Sequence, residues 1–237
     1  MEENNPLKDK KINKENKKMN NSLMLQGKLT QKVELKTSEN GTKYARLPIE
    51  VQSEYNGKVA SSIYNVTVFG KTAEEAEKFE SGNFITIKGR AENQKYENKN
   101  VLQLIGTKVE SASEGYKNTF SLSGFINNKE LALKETANGT KYVSVALSVK
   151  NDYANAQNQY DTYFVNAYSK SAERIVKDYN QRDLVEISGA VQAGENGRLN
   201  LVGTRSSLIR SATTTAQQST TQNFNSKDEE NSDNGNN

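Results

Sequence analysis

Three short segments of this chain recur about a hundred residues later, in the same order. Asn40-Gly41-Thr42-Lys43-Tyr44 returns as Asn138-Gly139-Thr140-Lys141-Tyr142. Phe69-Gly70-Lys71-Thr72-Ala73-Glu74 is answered by Tyr168-Ser169-Lys170-Ser171-Ala172-Glu173, and Leu102-Gln103-Leu104-Ile105-Gly106-Thr107 by Leu199-Asn200-Leu201-Val202-Gly203-Thr204. The offsets are 98, 99 and 97 residues, so the copies differ only by small insertions. Whatever the chain folds into, it folds into it twice, and a period near a hundred residues gives each copy room for one small domain.

Between and within the repeats, apolar residues alternate with polar ones at a period of two, the pattern of half-buried strands. Leu23, Leu25, Gly27 and Leu29 begin the first copy, and Phe120, Leu122, Gly124 and Ile126 begin the second. Ala45, Leu47, Ile49 and Val51 share the face of a second strand, matched by Val143, Val145, Leu147 and Val149. The Asn-Gly pair before each marks a turn, because both residues tolerate positive φ. A third strand turns Tyr64, Val66 and Val68 inward, matched by Tyr163, Val165 and Ala167. Ile85 and Ile87 before Gly89, with Val185 and Ile187 before Gly189, give a fourth, and the Leu-x-Leu-(Ile/Val)-Gly-Thr segment a fifth. One helix interrupts each copy between the third and fourth strands. It is expected over 72–80, with Ala73, Ala76 and Phe79 on one face, and over 171–180, with Ala172, Ile175 and Tyr179. Five strands with a helix in that place is the element order of the OB-fold, a small barrel whose closure removes most of its edges. The expected fold is therefore all-β: two tandem OB-fold barrels over residues 21–112 and 113–210. Residues 1–20 are Lys/Asn-rich and 211–237 Thr/Gln/Asn-rich, too polar to offset their chain entropy, and are expected to be disordered tails.

Composition narrows the chemistry. With no Cys and no His, thiol catalysis, the commonest general base and the usual zinc ligands are missing together. No apolar run approaches the roughly 20 residues of a membrane helix, and the polar start is not a signal peptide, so a cytoplasmic protein is expected. The net charge of +3 divides unevenly: residues 1–21 carry six Lys against four acids, residues 211–237 one Lys against four, and the span between holds +4. That balance fits a partner of weakly negative potential. No cofactor, metal or catalytic residue is expected.

Four segments in order, Leu25-Gln26-Gly27-Lys28-Leu29, Glu34 to Ala45, Val68-Phe69-Gly70-Lys71 with Ala73-Glu74, and Ser81-Gly82 through Ile87-Lys88-Gly89-Arg90, give the first copy a resemblance to the bacterial single-stranded DNA-binding protein family. The first segment is similar to its opening strand, and the second to its Glu-Leu…Thr…Gly…Val-Ala segment. The third resembles its Phe-Gly-Lys-x-Ala-Glu signature, and the fourth its following strand. The second copy keeps the frame but has Ala190 where the first has Arg90, and a shorter segment before Leu199. The resemblance implies binding of single strands, whose bases stack on aromatic rings at about 1–3 kcal/mol each while Lys and Arg follow the phosphates. With 11 Tyr, 7 Phe and no Trp, Tyr and Phe must supply the rings.

The stacking positions implied by the resemblance are Tyr55 and its mate Tyr153, Phe69 and its mate Tyr168, and Tyr96, whose counterpart region Ala193-Gly194-Glu195 has no ring. Strand parity turns Phe69 and Tyr168 outward, whereas Tyr64 and Tyr163 are expected to be core. A further family aromatic falls near Ile63, a departure from the pattern. Lys28, Arg46, Lys71, Arg90, Lys95, Lys141 and Lys170 are the candidate phosphate contacts.

Duplication suits this function, since two linked modules bind with greater avidity than one. The resemblance to two-domain members implies a homodimer presenting four barrels. Partners are therefore single-stranded DNA, with RNA a second candidate, and replication or recombination proteins reached through the C-terminal tail. That tail ends Asn234-Gly235-Asn236-Asn237 instead of the family's acidic, hydrophobic tip. The competing expectation is an OB-fold assembly module with little DNA affinity of its own, and a nuclease built on clustered carboxylates ranks third.

Overall fold

The structure, a computed structural model, describes residues 20–212 apart from 56, 97, 98, 154, 155, 157, 195 and 196; the side chains of residues 55, 58, 95, 96 and 99 are also outside the described set. Apart from residues 20, 211 and 212, both expected tails lie outside these residues.

The first copy runs β1 (Asn21–Leu29), β2 (Lys36–Thr37), β3 (Lys43–Tyr55), β4 (Lys58–Phe69), α1 (Gly70–Ala76), β5 (Phe84–Tyr96) and β6 (Lys99–Ser111). The second repeats the order as β7 (Lys117–Ile126), β8 (Lys134–Glu135), β9 (Lys141–Lys150), β10 (Tyr160–Tyr168), α2 (Ser169–Asp178), β11 (Leu184–Ala193) and β12 (Leu199–Arg210). β1 pairs with both β3 and β5, β3 with β4, β5 with β6, and the parallel pair β4–β6 closes the ring. The same pairings close the second barrel through β7, β9, β10, β12 and β11. Each is a five-stranded OB-fold barrel, with the two-residue strands β2 and β8 added beyond the expected five.

The inward positions predicted by period-two alternation form the core: Ala45, Leu47, Ile49, Val66, Val68, Ile85 and Ile87 are completely buried, as are Val145, Leu147, Val149, Val165, Ala167, Val185 and Ile187. Ala73, Ala76 and Phe79 plug the first barrel, and Ala172, Ile175 and Tyr179 the second. Both helices begin two residues earlier than the apolar spacing suggests, at Gly70 and Ser169. The reason is a left-handed residue directly after the strand, with φ of 54° at Gly70 and 52° at Ser169, which turns the chain at once into the helix.

That geometry exposes a weakness in the second copy. Its Ser169 and Arg182 (φ 66°) occupy positive-φ positions that the first copy fills with Gly70 and Gly82. A left-handed L-residue costs about 1–2 kcal/mol, partly offset by the greater unfolded-state entropy of glycine, about 0.4–1 kcal/mol. The double substitution Ser169→Gly with Arg182→Gly is therefore expected to stabilise the chain by about 1–2 kcal/mol, raising Tm by about 2–6 °C. Differential scanning calorimetry checks it; a lowered Tm would contradict the assignment of backbone strain.

The barrels are joined as well as tethered. β1 pairs antiparallel with β7, from Asn21 opposite Leu122 to Gln26 opposite Lys117, so all twelve strands form one continuous sheet. The linker follows Ser111 directly. Its Gly115 has a φ of 146°, its Tyr116 ring packs edge-on against Phe84 at 5.7 Å, and Gln26 Nε2 donates to the Ser113 carbonyl at 3.2 Å.

Candidate nucleic-acid interface

The junction is built around two tyrosines. Tyr64 of the first barrel donates its hydroxyl to the Val191 carbonyl of the second at 2.8 Å, and Tyr163 of the second donates to the Ala91 carbonyl of the first at 3.0 Å. An asparagine completes each set. Asn21 Nδ2 donates to the Ala91 carbonyl at 2.7 Å and its Oδ1 accepts from the Ala91 N–H at 3.0 Å; Asn118 does the same to Val191 at 2.7 and 2.9 Å. Both rings were expected in the core, and both are buried. Their hydroxyls give the core rings a second role, fixing one barrel against the other about a local two-fold.

Burial pushes both phenols above the ordinary tyrosine range, Tyr163 the further; the neighbouring Asp161 adds to the shift at Tyr163. The neutral form is favoured in the folded chain, so this stability is complete below the unfolded value near 10 and is lost as pH climbs from there toward the folded value. Urea midpoints are expected to fall steeply above about pH 10. In Tyr64→Phe with Tyr163→Phe the fall should be shallower, by up to about 1.4 kcal/mol per pH unit for each group removed. Identical slopes would show that these phenols are not protected.

Against this frame, Phe69 and Tyr168 stand where parity put them, at the outer ends of β4 and β10, with 45% and 37% of their surface exposed. Each has a ring beside it from the neighbouring strand: Tyr44 lies 6.5 Å from Phe69, and Tyr142 lies 6.0 Å from Tyr168, both tilted. The duplicated turn thus delivers a duplicated aromatic pair. Lys71 and Lys170 follow immediately and are exposed. Lys71 makes a loose ion pair with Glu75 at 3.7 Å, while Lys141 approaches Glu173 at 3.3 Å, as Lys43 approaches Glu74 at 2.6 Å. Lys28 and Arg46 are exposed, and Arg46 lines a groove on the first barrel with Ile63, Asn65 and Thr67. Tyr55, Lys95 and Tyr96 sit at the tips of the β3–β4 and β5–β6 hairpins, where their side chains fall outside the described residues.

Two predicted site residues meet across the barrel boundary. The Arg90 guanidinium, ion-paired with Glu92, lies 4.2 Å over the centre of the Tyr153 ring. Tyr153 is half-buried, and burial, reinforced by Glu92 and Asp161 against the opposing Arg90, raises its phenol pKa. The pair borders a small groove of about 280 Å³ with Asn21, Lys150 and Asn151. So Arg90 is engaged with protein rather than turned to solvent, and one face of Tyr153 is already covered. No local sequence signal foretold this, since the two residues belong to different copies.

Sequence reasoning missed Phe164. It is 63% exposed, more than any other described aromatic ring, and lies between Tyr163 and Val165, which both point inward. The same parity that turned Phe69 outward turns Phe164 outward as well.

Residues 20–111 match the model of the Single-strand binding protein family. The match covers the first barrel. The second barrel is tied to it by the internal repeat and by identical strand pairing. No curated protein matches the chain. Among solved structures, the chain is similar to the wild-type single-stranded DNA binding protein from Thermus aquaticus, with 20% identity and a TM-score of 0.68, over 81% of this chain and 93% of that one. A deletion variant of the same Thermus protein gives 19% identity and a TM-score of 0.67, over 81% and 95%. At such identities the likeness is one of fold, and its coverage reaches beyond residues 20–111 into the second barrel. Among the described residues, no helix is long and apolar enough to cross a membrane, and no three acidic side chains converge where a metal could be held.

Proposed function

We propose that the chain binds single-stranded DNA without regard to sequence, protecting it during replication, recombination or transfer, and that it does no chemistry on it. The observation that carries this reading is the exposed Phe69 ring beside half-buried Tyr44, in the barrel that matches the single-strand binding family, repeated as exposed Tyr168 beside half-buried Tyr142 on the second barrel. Exposed rings stack on any base, and the flanking Lys71 and Lys170 supply positive charge for the phosphates. Tyr55, Tyr96 and Lys95 would extend the surface from the hairpin tips, with Lys28, Arg46 and Lys141 beside the backbone. Arg90 and Tyr153 act as one stacked unit whose open face meets the strand. The fused β1–β7 junction already makes one chain a two-barrel unit, so a homodimer in the cytoplasm would offer four barrels, and sedimentation velocity would show its mass.

Fluorescence anisotropy with labelled oligo(dT) of increasing length, against duplex DNA and RNA, tests the reading. Tight binding to single strands is expected, weakening by roughly 0.7 log units per phosphate contact for each log unit of salt. The length at saturation reports whether both barrels engage. Weak binding with no preference over duplex would overturn the reading in favour of an assembly module.

A further inference from the structure

Phe164 stands over a groove of about 590 Å³ that neither barrel forms alone. The second barrel supplies Phe164, Asn166 and Arg198; the first lays Val101 and Leu102, at the start of β6, along the opposite side. Asn93 of the first barrel fixes the wall by donating from Nδ2 to the Thr162 carbonyl at 2.7 Å. Among the described lining residues, Arg198 carries the one charge, and four are asparagines: Asn93, Asn100, Asn166 and Asn200. An exposed ring, amides and, among the described lining residues, a single cation and no acid suit a flat, polar, anionic occupant. The volume lies within the roughly 300–1,000 Å³ of ordinary small-ligand pockets, enough for a base and its sugar.

This groove adjoins a counterpart beside the first barrel, the two sharing lining residues. The counterpart, about 370 Å³, is the one bordered by Arg46, Ile63 and Asn65, and both grooves are lined by Leu102 and its repeat mate Leu199. The two halves of the path are chemically unequal. Where the first barrel has Arg46 and Asn65, the second has Ser144 and Phe164. Each half holds one cation among its described lining residues, Arg46 or Arg198, and only the second adds an exposed ring.

We infer that single-stranded nucleic acid crosses from one barrel to the other through this shared groove, and that Phe164 is the base-stacking platform on the second barrel's side. The inference rests on the single-strand reading and gives it a path. It also assigns the second barrel a ring of its own, in a copy that has none at the position of Tyr96.

The chain has no Trp, so Phe164→Trp introduces one reporter into an otherwise silent background. Leu208→Trp, about seven residues or roughly 23 Å further along β12, serves as the distant control. Titrated with oligo(dT), the full chain carrying Trp at 164 is expected to show strong quenching, and the control little. Phe164→Ala, at a position exposed enough to leave the fold alone, is expected to lose affinity by roughly 5- to 100-fold, from the loss of one stacked base. If the unaltered chain binds oligo(dT) while Trp at 164 stays unquenched, or Phe164→Ala binds as well as the parent, the path is overturned and the single-strand reading stands. If the unaltered chain does not bind oligo(dT) at all, the single-strand reading falls, and the path with it.

Discussion

Gly89→Ala is expected to destabilise the first barrel strongly. A Cβ at residue 89 would sit 1.9 Å from the Ile105 carbonyl oxygen and 2.9 Å from Gly106 Cα, both backbone atoms with no rotamer in which to retreat. The position lies at the bulge between Lys88 and Gly89, where β5 shifts register against β6 while also pairing with β1. Three strands meet there, so relief in one direction strains another. The cost should be at least about 3 kcal/mol, the upper end of overpacking, against a typical domain stability of 5–15 kcal/mol. Gly41→Ala is the control. Its φ is 78°, but nothing lies within 4 Å of the new methyl, so only backbone strain of about 1 kcal/mol is expected. Urea unfolding followed by circular dichroism distinguishes the two, and equal midpoint losses would contradict the close approach of β5 and β6. Gly189, whose added Cβ would meet the Val202 carbonyl oxygen at 1.8 Å, should behave alike in the second barrel.

The double variant Phe69→Ala with Tyr168→Ala should lose most of its affinity for single strands while keeping its fold. Each ring is at least a third exposed and touches a single aromatic neighbour, so truncation leaves no buried cavity. One lost stack is worth about 1–3 kcal/mol; two in separate barrels, sharing no partner, should add to about 2–6 kcal/mol, a weakening of roughly 30-fold to 10⁴-fold. The salt slope should change little, because the cations remain. A steep loss of slope with affinity retained would mean that charge, not stacking, holds the strand. Unchanged affinity in a folded double variant would move the interface elsewhere, and the shared groove under Phe164 would be the next place to measure.

Much of this architecture was legible residue by residue. Alternation at Leu23-Leu25, Ala45-Leu47-Ile49 and Val66-Val68 needs no tertiary knowledge, because a strand with one buried face must show it. The repeat then doubled every such inference. Parity sufficed for Phe69 and Tyr168, and applied four residues earlier in β10 it would have sufficed for Phe164. The helix starts were not legible, since they depend on left-handed backbone at Gly70 and Ser169 and not on any apolar spacing.

By itself, then, the sequence determined two copies of one five-stranded barrel, the identity of their cores, and the outward turn of Phe69 and Tyr168, because these follow from local periodicity and from duplication. Only the tertiary structure decided how the copies meet. The β1–β7 ladder, the crossed bonds of Tyr64 and Tyr163, the Arg90–Tyr153 stack and the groove beneath Phe164 all join residues from different copies. Such contacts are selected by the shape and hydrogen-bonding complementarity of two finished surfaces, and no local pattern in a chain encodes that.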